Sequence, residues 1–145
     1  MRKERFMEIE ILKPKDLKSY KELIDECFGT SNDLEKYQKY NENQAYKIFV
    51  VKEGTTIIGS ATQYAIDLFT FDFQPCLMLF NVAVRTDYRE KQIAKYLLSH
   101  IIENARNEGY HSISLTCLDT AYPAHKLYES VGFTKENSLK YARIL

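Results

Sequence analysis

The sequence predicts an α/β fold in which a mixed β-sheet is flanked by helices. Residues 46–52, 55–69 and 76–84 are rich in β-forming side chains, which predicts an antiparallel meander. An amphipathic helix over 92–107 and a strand over 112–118 follow, and they add a β-α-β crossover to that meander. With one strand and two helices ahead of the meander, the predicted order is β-α-α-β-β-β-α-β-α-β-β.

The N-terminal elements are set by alternation and by capping residues. A first strand is predicted over Met7 to Leu12, where apolar side chains alternate with charged ones. Asp16 is placed to cap a helix that ends at Gly29. A second helix is predicted from Asn32 to about Glu42, because Glu35 follows Asn32 at the spacing of a capping box.

The C-terminal elements follow from the same signals. Glu53 and Gly54 form the turn of the first hairpin, and Gly109 ends the long amphipathic helix. A short helix is predicted from about Ala121 to Val131, followed by one β segment that begins at Phe133 and another over Leu139 to Leu145. A chain of 145 residues fits one domain, which we place at 1–145.

Composition excludes several classes of protein. The 20 basic and 20 acidic side chains cancel, which argues against a nucleic-acid partner. The start of the chain, MRKERFMEIE, lacks the apolar stretch of a signal peptide, and no apolar run approaches the ~20 residues of a membrane span. Cys27, Cys76 and Cys117 have no metal-ligand spacing and are expected to be small buried apolar residues. We therefore expect a cytoplasmic protein without a metal or a membrane partner.

Two runs in the second half of the chain carry a recognisable pattern. In NVAVRTDYREKQIAKYLL (Asn81 to Leu98), a strand ends at Val84 and a short loop leads to Arg89 and a helix. This run resembles the acetyl-CoA-binding motif of the GNAT (GCN5-related N-acetyltransferase) superfamily, in which Arg or Gln precedes Gly-x-Gly/Ala at a helix start. Ala94 occupies the last position of that motif, whereas Gln92 replaces its first glycine.

The second run, PAHKLYESVGF (Pro123 to Phe133), resembles the Leu-Tyr and Gly-Phe signature of the same family. Ala121 stands where the family often has an asparagine. Together the two runs imply the GNAT acyl-CoA N-acyltransferase fold. The implied activity is transfer of the acetyl group of acetyl-CoA to a primary amine of a small molecule or peptide, by direct attack in a ternary complex. The implied cofactor-binding residues are Val82, Ala83, Val84, Arg89, Glu90, Lys91, Gln92, Ile93, Ala94, Lys95 and Tyr128.

The helix start suits the phosphates of coenzyme A. Unpaired amides over 91–95 and the positive end of the helix dipole favour an anion. Arg85, Arg89, Lys91 and Lys95 add four cations around the same loop. The alternative is an ordinary solvated helix start. Gln92 is compatible with this site if its backbone is already helical, so that its side chain points outward.

The resemblance also assigns roles at the reacting thioester. It implies that the edge over Val82 to Val84 binds the pantetheine arm, with the Val84 amide near the thioester oxygen. It further implies that Tyr128 is the general acid that protonates the departing thiolate. The alternative is that Tyr128 only packs, because Ala124, Leu127 and Val131 share its helical face. The cysteines lie outside both runs, which disfavours an acyl-cysteine intermediate.

Several roles stay open at this point. Asn81 stands where some relatives carry an acid and cannot act as a base, so a water relay, Asp67 or Glu10 is the candidate. Three scattered histidines, His100, His111 and His125, are expected on the surface. An apolar hairpin face is the simplest reading of Phe69, Phe71 and Phe73; a homodimer contact or a wall of the acceptor pocket is the alternative.

The sequence does not name the acceptor amine. An enzyme that uses another acyl-CoA, or that acylates a hydroxyl, is an alternative within the family. A CoA-binding or ligand-binding regulatory module without catalysis is the alternative from another class. Gln92, Ala121 and the missing base favour that module, whereas Tyr128 favours an enzyme.

Overall fold

The computed structural model of the chain describes residues 7–42 and 45–145. The expectation about a signal peptide concerns in part residues 1–6, which lie outside this range. Short 3-10 turns occupy Pro14–Asp16, Phe69–Phe71 and Thr86–Tyr88. The remaining elements are β1 (Met7–Ile11), α1 (Leu17–Phe28), α2 (Leu34–Tyr40), β2 (Tyr46–Glu53), β3 (Thr56–Asp67), β4 (Pro75–Val84), α3 (Ile93–Asn107), β5 (Ile113–Ser114) and α4 (Tyr122–Ser130).

The strands form one sheet in the order β1-β2-β3-β4-β5. The first four strands are antiparallel to their neighbours, and β5 is parallel to β4. Helix α3 makes the connection between the two parallel strands, as a parallel pair requires. The predicted mixed sheet flanked by helices is therefore confirmed.

Two apolar cores lie on opposite faces of the sheet. On one face, Ile93, Leu97, Leu98 and Ile101 of α3 pack on the sheet, and Tyr128 of α4 packs against the same core. On the other face, the buried side of α1 meets residues of β2, β3 and β4. The buried residues of this second core are Leu12, Leu17, Tyr20, Leu23, Ile24, Val50, Ile57 and Ala83. The sheet is thus enclosed between α1 and α2 on one side and α3 and α4 on the other.

The start of α1 differs from its prediction. Asp16 makes no capping hydrogen bond; its buried carboxylate accepts a 3.0 Å hydrogen bond from the Lys52 ammonium on β2. This contact raises the pKa of Lys52, because the adjacent carboxylate favours the charged ammonium. The C-terminal prediction holds, since Gly29 adopts a left-handed conformation (φ 64°) and ends the helix.

Helix α2 is shorter than predicted. Its N-cap residue is Asp33, without a side-chain capping hydrogen bond, and the helix ends at Tyr40. The predicted capping box between Asn32 and Glu35 is therefore wrong, because the helix begins one position later than that box requires.

Three C-terminal strand predictions are wrong or too long. β5 covers only Ile113–Ser114 instead of 112–118, because only these two residues pair with β4. No strand begins at Phe133, and residues 139–145 form none. Leu139 and Ile144 are 80% and 97% exposed. Side chains that favour strands do not form one unless a neighbouring strand pairs with them.

Two features of the sheet shape the region near α3. An irregularity in β4 lets both Asn81 and Val82 lie opposite a single residue of β3, and Asn81 has φ 53°. In β3, a Cβ at Gly59 would lie 3.1 Å from Cγ2 of Ile93, the first residue of α3. The absent side chain therefore allows α3 to start close against the sheet.

Candidate active site

The two parallel strands separate towards the end of β4. They pair only at Leu77–Ile113 and Met78–Ser114, so the later part of β4 has no strand beside it on that edge. The Arg85 amide donates to the Ile58 carbonyl, which makes Val84 a non-hydrogen-bonded partner of Gly59. The amide and carbonyl of Val84 therefore point away from β3, into the gap.

The Val84 carbonyl has two side-chain contacts in this gap. Cys27 Sγ lies 3.3 Å away, and Arg89 Nε donates to the same oxygen at 3.3 Å. Cys27 comes from the end of α1 and lies outside both motif runs, but the fold brings its sulfur next to Val84. Of the three thiols predicted to be buried, only Cys76 is; Cys27 is half-buried and Cys117 exposed.

The start of α3 has an unusual backbone. Glu90 and Gln92 both have positive φ angles, 67° and 59°. The first helical hydrogen bond runs from the Tyr96 amide to the Gln92 carbonyl, which leaves the amides of Ile93, Ala94 and Lys95 without such a partner. The condition that Gln92 be helical is not met, since the residue precedes α3 in the left-handed conformation that glycine favours.

The predicted cation cluster divides into two groups. Arg89, Lys91 and Lys95 are exposed around the start of α3, and Lys91 Nζ lies 5.2 Å from the centre of the Tyr88 ring. Arg85 is wrongly placed in this cluster. Its guanidinium donates to the carbonyls of Ile57 (2.7 Å) and Ser19 (3.2 Å), so it fastens α1 to the sheet.

Tyr128 lies on α4, half-buried against the core under α3. Val82 and Val84 pack against the same core, so all three residues belong to one face of the sheet. Burial raises the pKa of the Tyr128 phenol, and the nearby Cys117 thiol raises it further. The group therefore holds a proton at neutral pH, as a general acid must, and its packing contacts are present as well.

A cavity of about 620 Å³ lies on the opposite face, between the α1–α2 region and β2, β3 and β4. Sequence reasoning missed it, because its walls come from separate parts of the chain. A pattern that would have helped is the two-residue spacing of Thr62, Tyr64 and Ile66, which places these three side chains on one face of β3. Five tyrosines line the cavity: Tyr20, Tyr37, Tyr40, Tyr46 and Tyr64. Asn81 lies at its β4 side.

The base candidates from the sequence are poorly placed. Asp67 pairs with Pro75, at the opposite end of β4 from Val84. Glu10 lies on β1 and forms ion pairs with Lys52 (3.3 Å) and Lys13 (3.6 Å). Neither carboxylate lines the cavity.

The histidines take up local contacts. The His100 ring meets Phe49 edge-on, and His125 contacts the Leu118 carbonyl at 2.8 Å. His111 stacks on Phe71 at 4.1 Å. None of the three lines the cavity.

The phenylalanine cluster lies in the turn between β3 and β4 and not on a hairpin face. Phe69 and Phe73 are 75% and 69% exposed, and their ring centres lie 5.3 Å apart. With Phe71 they stay outside the 620 Å³ cavity, so the prediction of an acceptor-pocket wall does not apply to it. The homodimer contact stays a prediction.

Within residues 7–42 and 45–145, no cluster of three or more His, Cys, Asp or Glu side chains is arranged to hold a metal ion. Over the same residues, no helix combines the length and apolar character that a bilayer crossing needs.

Comparison with known proteins gives a consistent family match. A family model described as the acetyltransferase (GNAT) family matches residues 17–133. The chain is 28% identical over 103 residues to the "Probable N-acetyltransferase camello" of Xenopus tropicalis, covering 71% of this chain and 44% of that protein. It is 29% identical over 96 residues to the [ribosomal protein bS18]-alanine N-acetyltransferase of Escherichia coli, covering 66% and 60%. The chain thus spans about half the length of these curated relatives.

A solved structure shares the fold at low sequence identity. AAC(6')-Iy in complex with the bisubstrate analogue CoA-S-monomethyl-acetylneamine matches with a TM-score of 0.81 and 16% identity. The match covers 97% of this chain and 99% of that one. At this identity the likeness establishes the fold alone.

Proposed function

Because the chain belongs to the acetyltransferase (GNAT) family, we propose that it transfers the acetyl group of acetyl-CoA to a primary amine by direct attack in a ternary complex. We also propose that residues 1–145 form one N-acetyltransferase domain. The observation that carries the proposal is the gap beside β4, where the Val84 amide and carbonyl face away from β3. A peptide-like pantetheine arm would pair with this edge, which has no neighbouring strand, through the Val84 amide.

The start of α3 would hold the phosphates of CoA. Three amides there lack helical partners, and positive φ angles at Glu90 and Gln92 turn the preceding loop around them. Arg89, Lys91 and Lys95 supply positive charge at the rim. The Val82–Val84 edge and the start of α3 follow one another along the chain. An extended molecule such as CoA would contact both, with its pantetheine arm at the edge and its phosphates at the helix start.

The chemistry would use few protein groups. An amide on the edge over Val82 to Val84 donates to the thioester oxygen, which is worth a few kcal/mol as negative charge develops there. The amine nitrogen attacks the carbonyl carbon, so a C–N bond forms and the C–S bond breaks. Tyr128 gives its proton to the departing thiolate, and the proton released from nitrogen passes through water to the phenolate and restores the phenol.

The acceptor would approach from the tyrosine-lined cavity, which meets β4 at Asn81. Asn81 cannot take a proton, so a water relay serves as the route for the proton of the attacking amine. The chain's own residues thus orient the amine and exclude bulk water, whereas acetyl-CoA supplies the activated acyl group.

The test is an acceptor screen with acetyl-CoA in which release of the CoA thiol is measured. Turnover with at least one amine, and faster turnover than with propionyl-CoA or succinyl-CoA, is the expected result. Preference for a longer acyl group would show an enzyme of the family with another donor. Tight CoA binding without turnover of any amine would contradict the proposal and favour a regulatory module.

A further inference from the structure

The 620 Å³ cavity has a wall chemistry that restricts its occupant. Its lining includes Asn81, the residue that precedes the Val82–Val84 edge of β4. A ligand whose reactive end lies at Asn81 would therefore be next to the part of β4 where the acyl donor is proposed to bind. The volume is within the ~300–1,000 Å³ typical of small-molecule sites.

The described part of the lining contains no carboxylate. Its one charged side chain is Lys36, which is exposed at the edge of α2. An acceptor with several ammonium groups would lose hydration without gaining an anionic partner, and Lys36 would repel it. The walls therefore disfavour polyamines and aminoglycosides.

The walls instead present aromatic surface. Tyr20 and Tyr37 meet edge-on at 5.8 Å, and Tyr46 and Tyr64 are tilted at 5.7 Å. Burial raises the pKa values of Tyr20 and Tyr46, so both phenols are neutral at physiological pH. Such rings pack favourably against a flat apolar group. The Tyr37 hydroxyl is buried and has no hydrogen-bond partner among the described residues, so it could bind a polar group of a ligand.

We propose that the acceptor is a monoamine with an aromatic body, of the arylalkylamine class, and that it binds in this cavity with its amine towards Asn81. This inference rests on the proposed acetyl transfer. The same walls help the chemistry, since desolvation lowers the pKa of a bound alkylammonium and yields the neutral amine that attacks. That effect supplies part of what a general base would otherwise provide.

The experiment compares 2-phenylethylamine with 1,4-diaminobutane as acceptors for the full chain with acetyl-CoA. We expect kcat/KM to favour 2-phenylethylamine by about tenfold or more, the usual size of discrimination by an apolar pocket. Turnover with equal values, or with a preference for the diamine, would overturn the inference and leave the proposed function intact.

Two variants test the location. Tyr64→Leu removes one wall ring and should lower kcat/KM for 2-phenylethylamine while CoA affinity is unchanged; Tyr141→Leu, at an 88% exposed position, is the control. Lys36→Glu should raise kcat/KM for the diamine, whereas Lys18→Glu, with the same change of net charge away from the cavity, should not. Matching effects in variant and control would place the acceptor elsewhere and overturn the inference.

If no amine is turned over, calorimetry of the same two amines with CoA-saturated protein decides. Binding of 2-phenylethylamine that Tyr64→Leu weakens, without binding of the diamine, would support the cavity preference although acetyl transfer had failed. Absent binding of 2-phenylethylamine, or tighter binding of the diamine, would overturn it.

Discussion

Tyr128 is half-buried on α4, and its ring meets Phe133 edge-on at 6.0 Å. Tyr128→Phe keeps this ring and its packing and removes only the phenolic proton. If that proton goes to the thiolate in the transition state, kcat should fall by about a hundredfold with KM nearly unchanged. Steady-state kinetics with the best acceptor, beside a CoA titration of the same variant, measure both quantities.

The pH dependence of Tyr128 has a definite sign. Burial raises its pKa, so the phenol keeps its proton to higher pH than a free tyrosine. Loss of this proton should therefore not reduce wild-type kcat within the pH range in which a free tyrosine keeps its proton. For the Tyr128→Phe substitution, the matched control is Tyr122→Phe, at a 65% exposed position of the same helix. Full activity of Tyr128→Phe would leave the residue with a packing role.

Gln92 precedes α3 with φ 59°, a conformation that costs a side chain with a Cβ about 1–2 kcal/mol. Gln92→Gly should therefore raise the free energy of unfolding by up to about 1 kcal/mol and keep or tighten CoA binding. If Gln92 were helical, the same substitution would be expected to lower the stability of the helix instead. Urea denaturation and calorimetry provide the two measurements.

A control for this substitution is Gln38→Gly, in the exposed interior of α2, which should destabilise the fold. Changes of opposite sign in the free energy of unfolding would show that backbone conformation decides whether glycine stabilises or destabilises each position. A large loss of CoA affinity in folded Gln92→Gly would show instead that the glutamine side chain contacts the ligand.

Helix α3 starts close to β3 because Gly59 has no side chain. A Cβ there would lie 3.1 Å from Ile93 Cγ2 and 3.4 Å from the Ala83 carbonyl oxygen. Gly59→Ala should therefore destabilise the fold by about 1–2 kcal/mol through overpacking. It should also weaken CoA binding, because Ile93 carries one of the three unpartnered amides. Urea midpoints and CoA titration check the two effects.

Ile93→Leu lacks the Cγ2 methyl and offers a test of the cause. By itself it should cost less than about 1.5 kcal/mol, as a swap of similar volume does. Combined with Gly59→Ala, it should cost less than the sum of the two single changes. Additive losses would show that the new methyl group strains another contact.

Elements were predicted well where their own sequence decides them. The apolar periodicities of α1 and α3 and the β-rich runs of β2 to β4 give boundaries within a residue or two of those observed. β5 and the segment over 139–145 failed because a strand also needs a partner, and β4 diverges after Met78. Local sequence carries no signal for where two strands separate.

In the candidate site too, residues that are contiguous in sequence could be predicted, and residues from separate segments could not. Arg89 to Lys95 form one contiguous run, so sequence could group them around the start of α3. The tyrosine-lined cavity draws on α1, α2 and three strands, and no spacing in the chain brings those segments together. Arg85 shows the opposite error. It lies next to the cation cluster in the sequence, but its guanidinium donates to the carbonyls of Ile57 and Ser19.

The molecule carries no net charge, so attraction of CoA must come from local cations. CoA should therefore bind more tightly than pantetheine, which lacks the phosphates, and added salt should weaken only the CoA complex. Lys91→Met should reduce this difference, whereas Lys140→Met, with the same change in charge in the exposed C-terminal segment, should not. Calorimetry at two salt concentrations measures this difference in affinity between CoA and pantetheine. Equal affinities for the two ligands would remove the basis of the phosphate site.

The extra residue in β4 works as a phase shift within the strand. Ahead of it, odd-numbered Leu79 faces α3; beyond it, even-numbered Val82 and Val84 do, and Ala83 turns to the core beneath α1. Because the extra residue takes up this shift, Ala83 and Val84 lie opposite Ser60 and Gly59 as they would in a regular strand. Deleting Asn81 would therefore keep these pairs and leave the Val84 amide pointing away from β3, while the local bend of β4 would be lost. The path of β4 beside α3, and not the pairing of its last residues, depends on the extra residue.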